Sequence, residues 1–331
     1  MGGVRAEDLI ELVRRHIGAA ATVVNLRRLS GGANQETWSF DAEVAGVPHA
    51  LILRRTPGGK PNLAATATGL SLEVEARLIA LAAQSGVPVP GIRFVLPAGD
   101  KLGSGFVMDR IPGETIARKI LRDDEFAPVR PRLARQCGSI LAAIHRVATG
   151  DLKLAVSPAG AQLEQYRALY DAYDHPHPVF EIALRWLADR VPSDVTATLV
   201  HGDFRNGNLI IGGDGVRAVL DWELAHQGDP MEDLGWICVN SWRFGELDHP
   251  VGGFGTREDM FAGYEAAGGG TVDAERVRWW ETFGSLKWGI MCMTMVQIFR
   301  GGLDRSVERA AIGRRSSETE IDLLNLIAPE P

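Results

Sequence analysis

The sequence predicts an α+β fold of two unequal lobes: a small antiparallel-sheet lobe over residues 1–111 and a larger, mainly helical lobe over 112–331. Two observations predict it. Alternating, β-branched segments broken by Gly and Pro fill the first third, whereas helical periodicity dominates the remainder. A chain of 331 residues is also long enough for about two folding units.

Taken in order, residues 6–17 read as a helix with Leu9, Ile10, Val13 and Ile17 on one face. Strands are expected at 23–29, 37–44 and 49–55, then a helix at 69–83 through Leu72, Ala76, Ile79 and Ala80. The run Gly86-Val87-Pro88-Val89-Pro90 cannot extend that helix and must turn. Strand candidates at 92–96 and 106–108 lead to Ile111-Pro112-Gly113, where the chain crosses between lobes. Helices are expected at 132–147, 162–173 and 180–189 and again beyond Met231, with His175-Pro176-His177-Pro178 as a loop.

Composition narrows the function classes. Lys and Arg number 35 against 42 Asp and Glu, and this net charge of −7 argues against general nucleic-acid binding, which needs a basic surface. Charged residues from Arg5 to Arg15 leave no apolar core for a signal peptide, and the apolar stretch 288–299 is too short to span a bilayer. Cys137, Cys238 and Cys292 are far apart and odd in number, which disfavours a disulfide framework or a zinc site. A cytoplasmic protein without nucleic-acid or membrane partners is expected; oligomeric state is not legible.

The chemistry-bearing segment is His201-Gly202-Asp203-Phe204-Arg205-Asn206-Gly207-Asn208, between apolar Leu199-Val200 and strand-like Leu209-Ile210-Ile211. A second strand-like run, 216–220, ends in Asp221-Trp222-Glu223, and Gly212-Gly213-Asp214-Gly215 between them is a hairpin signal. Two polar loops bracketing one hairpin can face a common cleft. Phosphoryl transfer needs such a set: a carboxylate to orient the attacking hydroxyl, and oxygen ligands to hold Mg²⁺ against nucleotide phosphates. Asp203 supplies the first, and Asn208 and Asp221 supply the metal ligands. Two carboxylates about 4 Å apart repel by roughly 4 kcal/mol at an effective dielectric of 20, so such a cleft favours a cation. No G-x-x-x-x-G-K-[ST] loop and no strand followed by G-x-G-x-x-G is present.

These residues resemble the aminoglycoside phosphotransferase and choline kinase-like family, small-molecule kinases with a protein-kinase-like fold. The stretch HGDFRNGNLI through LDWELAHQGDPMEDLGW carries the resemblance, and the tail from FGSLKWGIMCM onward is similar to a branch found alone or beside acyl-CoA dehydrogenases. The resemblance implies ATP and Mg²⁺, with Asp203 as catalytic carboxylate, Asn208 and Asp221 on the metal, and Arg205 facing the transferred phosphoryl group. Asp233 is expected to bond the backbone of the loop carrying Asp203, and Asp229 to cap the helix near Met231.

In the first lobe, Ser30-Gly31-Gly32-Ala33-Asn34 resembles the nucleotide-covering loop, so Ser30, Gly31, Gly32 and Asn34 are expected at the phosphates. Arg54 stands where the family usually has Lys, a planar fork in place of a point charge. Strand alternation allows only one of Arg54 and Arg55 to face the cleft, and the resemblance assigns Arg54 to it. Glu75 matches the helix carboxylate that pairs with this cation. Met108, Asp109 and Ile111 match the hinge at which adenine docks.

The resemblance implies a hydroxyl-bearing small molecule as acceptor. Between Arg276 and Arg315, eight basic residues stand against three acidic ones. If that segment lines the acceptor cleft, it favours an anionic or acyl-CoA-type hydroxy compound; an aminoglycoside is the alternative, and a basic outer face the structural one. A pseudokinase would lack one of Asp203, Asn208 and Asp221. A protein kinase would need an activation segment for which the chain between Asp221 and Gly228 leaves no room.

Overall fold

The computed structural model describes residues 3–29, 35–56 and 69–328. Five antiparallel strands build one sheet: β1 (Thr22–Arg28), β2 (Glu36–Val44), β3 (Val47–Thr56), β4 (Ile92–Val95) and β5 (Ser104–Asp109), in spatial order β1-β2-β3-β5-β4. Its two faces are sorted by side-chain alternation. Phe40, Leu51, Leu53 and Val107 pack under α1 (Ala6–His16), through Leu9, Leu12 and Val13. Phe106 instead joins α2 (Leu72–Gln84), through Leu72, Ala76 and Ile79. Helix α2 starts at Leu72 because the Ser71 hydroxyl accepts the Val74 N–H, 3.3 Å away.

The remainder is helical: α3 (Ala117–Arg122), α4 (Arg130–His145), α5 (Ala159–Asp171), α6 (Pro178–Ala188), α7 (Met231–Cys238), α8 (Arg257–Ala266), α9 (Ala274–Arg300), α10 (Val307–Gly313) and α11 (Glu318–Ile327). Pro178, expected in a loop, opens α6, where its missing N–H costs nothing. Two small ladders carry the site. β6 (Thr198–Val200) pairs with β9 (His226–Gly228), and β7 (Leu209–Gly212) pairs with β8 (Gly215–Val219) as the expected hairpin.

That hairpin is stitched to both lobes. Glu114 and Ile211 exchange two backbone hydrogen bonds of 2.9 Å, and the Val219 N–H donates to the Pro88 carbonyl at 2.8 Å. The long helix α9 crosses α7 closely because both carry glycine at the contact. A Cβ on Gly235 would lie 2.6 Å from the Trp280 Cβ, and one on Gly284 would lie 2.7 Å from Val239. Among the described residues no helix is long and apolar enough to cross a membrane.

Candidate active site

Asp203 is held from three sides. Its Oδ1 accepts from the Arg205 Nε at 3.0 Å and the Trp236 indole N–H at 2.8 Å, and its Oδ2 accepts from the Asn208 amide at 2.6 Å. The loop beneath it rests on Asp233, a fully buried carboxylate that accepts the backbone N–H groups of His201 (2.8 Å) and Gly202 (2.9 Å). Burial alone would raise Asp233, but the hydrogen bond from His145, 3.1 Å away, together with these contacts holds it below the ordinary carboxylate value. His145 is itself fixed by the Tyr264 hydroxyl at 2.9 Å.

His201 braces the same loop. Its Nδ1 accepts the Asp203 N–H at 3.2 Å, so the proton must sit on Nε2, which donates to the Leu220 carbonyl at 3.1 Å. Burial pushes its pKa down, and the neutral tautomer suits both contacts. This arrangement is structural. It explains why a histidine next to Asp203 is not placed for proton transfer.

Asn208 and Asp221 lie at one end of the β7–β8 hairpin, where the Leu220 N–H donates to the Asn208 carbonyl at 2.8 Å. Asp221 adopts a left-handed backbone (φ 67°, ψ 63°), uncommon for a residue other than glycine. Arg54 reaches this residue from β3. Its guanidinium lies 2.6 Å from the Asp221 Oδ1, 3.2 Å from the Glu223 Oε2 and 3.3 Å from the Glu75 Oε1, and it also meets the Gln35 side chain. Three carboxylates more than offset the burial of Arg54, and its pKa is raised. Glu75 has no exposed surface; burial, aided by the neighbouring carboxylates and opposed by Arg54, pushes it up to about 7. Burial and then Asp221 raise Glu223 as well. Arg55 points to the opposite face, where Glu36 takes it at 3.0 and 2.7 Å and the Leu102 carbonyl at 2.9 Å.

Asp109 ends β5 with its N–H donated to the Gly91 carbonyl (2.9 Å) and its carboxylate on Arg93 (2.6 Å). Met108 is half-buried, and the Ile111 N–H has no acceptor among the described residues. Ser30, Gly31, Gly32 and Asn34, expected over the nucleotide, lie outside the described residues.

The donor set fits a hard divalent cation. The Asn208 side chain turns its N–H toward Asp203, which leaves its carbonyl oxygen without a partner among the described residues; Asp221 likewise keeps Oδ2. One carboxylate and one amide oxygen are few for a dedicated protein cage, and no cluster of three His, Cys, Asp or Glu suited to a metal exists among the described residues. Mg²⁺ commonly takes one or two such ligands and completes its shell with phosphate and water.

Comparison with known proteins decides the family. The model of the phosphotransferase enzyme family matches residues 25–269. The chain belongs to that family. Its relatives include mouse (Mus musculus) acyl-CoA dehydrogenase family member 10, 32% identical over 208 residues, or 57% of this chain and 18% of the relative. Chicken (Gallus gallus) acyl-CoA dehydrogenase family member 11 is 30% identical over 229 residues, or 65% of this chain and 28% of the relative. The chain thus matches less than a third of the length of these relatives.

Among solved structures, one described as an aminoglycoside phosphotransferase from Ralstonia eutropha JMP134 aligns over 98% of both chains, with TM-score 0.74 and 21% identity. Spectinomycin phosphotransferase, in complex with ADP and spectinomycin, aligns over 98% of both chains, with TM-score 0.63 and 14% identity. The fold is therefore the bilobal, protein-kinase-like one.

Sequence reasoning missed three side chains that support Asp203, Asp233 and Arg54. Trp236, in the Leu234-Gly235-Trp236 end of the motif, gives Asp203 an indole N–H donor at 2.8 Å; His145 supports Asp233; Gln35 bridges Arg54 and Glu223. Of the eight basic residues in 276–315, three are ion-paired, Arg276 with Asp229, Arg309 with Asp304 and Arg315 with Glu318, while Arg278 donates to the Leu326 carbonyl. A separate cavity of 390 Å³, lined by Trp186, Arg190 and Trp279 among others, shares no residue with the Asp203 site.

Proposed function

We propose that this phosphotransferase moves the γ-phosphate of ATP, with Mg²⁺, to a hydroxyl of a small molecule, of the anionic or acyl-CoA-type hydroxy compounds. The single observation that carries the reading is the convergence on Asp203: a carboxylate fixed by Arg205, Trp236 and Asn208, facing the cleft across which Arg54 meets Asp221. Asp203 orients the attacking hydroxyl and receives its proton. Arg205, whose guanidinium stacks 4.6 Å over the Trp242 ring, is positioned to offset charge on the phosphoryl oxygens.

Asn208 and Asp221 hold the cation, which when bound neutralises charge on the β- and γ-phosphate oxygens. Arg54, anchored by Glu75, takes the α- and β-phosphates in the role the family usually gives to Lys. The Asp109 carbonyl and the Ile111 N–H meet the adenine edge while Met108 packs on its face. Residues 1–111 and 112–331 act as the two lobes.

The test is a screen of metabolite extracts for a product that gains one phosphate with MgATP, run beside D203N. A product absent with D203N identifies the acceptor. Turnover on aminoglycosides but not on hydroxyacyl-CoA compounds would reject the anionic preference.

A further inference from the structure

Lys287 is unlike every other cation near the site. Its residue is only 9% exposed, yet no carboxylate lies within salt-bridge distance and no acceptor within hydrogen-bond distance among the described residues. Its ammonium rests instead on aromatic faces, 4.9 Å from the Trp236 ring centre and 5.7 Å from that of Tyr166. The glycine contacts between α7 and α9 place it there, because Gly235 precedes Trp236 and Gly284 lies one turn before Lys287.

Trp236 therefore has two neighbours. Its N–H edge touches the Asp203 carboxylate and its face carries the Lys287 charge. Burial tends to discharge Lys287, but Tyr166 and the carboxylates Glu232, Asp203 and Asp233 outweigh it, and its pKa is raised. A buried ammonium with three unused donors is costly unless something accepts from them.

We propose that Lys287 selects the acceptor: its ammonium, backed by Trp236 and Tyr166, receives the carboxylate or phosphate of a small molecule whose hydroxyl lies at Asp203. The proposal rests on the reading of Asp203 as the hydroxyl-orienting group. The same geometry works against polycationic acceptors. The aromatic faces that would attract an ammonium group are already occupied by one, and a second would meet like charge.

The chain has five lysines, so labelling lysine with ¹³C at Cε gives five signals, and K287M identifies that of Lys287 by its loss. The probes are sodium phosphate, 3-hydroxybutyrate and its neutral methyl ester, with sodium chloride at matched ionic strength, each with and without MgADP. The Lys287 signal is expected to shift saturably with phosphate, 3-hydroxybutyrate or both, which also tells the two anion classes apart, and not with the ester or chloride. K287R should retain binding, while K287M, checked for an unchanged melting profile, should weaken it about 10- to 100-fold, as loss of a charge-assisted hydrogen bond does.

A silent Lys287 signal, or an equal response to the ester, overturns the proposal. MgADP separates the two readings. Nucleotide binding with a silent Lys287 sinks only the role of Lys287, whereas failure to bind MgADP sinks the kinase reading on which the proposal depends.

Discussion

Asp233 offers the sharpest test of how the loop carrying Asp203 is held. It is completely buried and accepts three hydrogen bonds, from the His201 and Gly202 backbone and from His145. D233A leaves three donors without a partner, and at about 1–3 kcal/mol for each unsatisfied group the loss is about 3–9 kcal/mol. D233N keeps the volume and one oxygen acceptor but turns an NH₂ group toward one backbone donor, so its loss should be about half as large. The loop bearing Asp203 loosens in both, so turnover should fall further than nucleotide affinity. Guanidinium denaturation gives the first quantity and ATP consumption the second. Because Asp233 is held below the ordinary 3.8, this stabilisation is present above that value and fades as pH falls through its folded-state pKa. A D233A protein that unfolds at the parent midpoint and turns over normally would refute the argument.

D203N should lower phosphoryl transfer roughly 10²- to 10⁴-fold while calorimetry still detects MgADP binding. R54M leaves Glu75 buried without its cation and should cost about 3–5 kcal/mol in denaturation; adding E75Q should recover part of it. His226 donates from Nδ1 to the Leu224 carbonyl at 2.9 Å and from Nε2 to Glu232 at 3.2 Å, so its folded form is the cation. Burial opposes that charge, but Glu232 prevails and the pKa is raised. The stabilisation is then full below the ordinary 6.5 and is lost as pH rises through the folded-state value, a dependence that H226Q should remove from denaturation midpoints. EDTA should abolish transfer, and D221N should raise the Mg²⁺ concentration needed to restore it, as read from ATP turnover.

The parts of the site that follow local chain rules were legible in the sequence. Asp203, Asn208 and Asp221 sit at fixed offsets around one hairpin, whose Gly212–Gly215 turn and flanking apolar runs were visible without a fold. Strand alternation sends Arg54 and Arg55 to opposite faces, but which of them meets the cleft was legible only through the family resemblance. Trp236 and Lys287 were not legible, since they are 51 positions apart and meet only because α7 and α9 cross at glycines. A count of charges along 276–315 could not tell an arginine answered by Asp229 from a lysine resting on tryptophan. Strand β9 carries only His226, Gln227 and Gly228 and exists through its pairing with β6, so composition gave no sign of it.

The double stitch from the β7–β8 hairpin to Glu114 and Pro88 works as the spine of a book. Covers that swing about a spine leave the binding edge where it was. A rotation of the sheet would part Arg54 from Asp221 while Asn208 and Asp221 stay in place, so the Arg54–Asp221 separation is the gauge with which to read opening in solution.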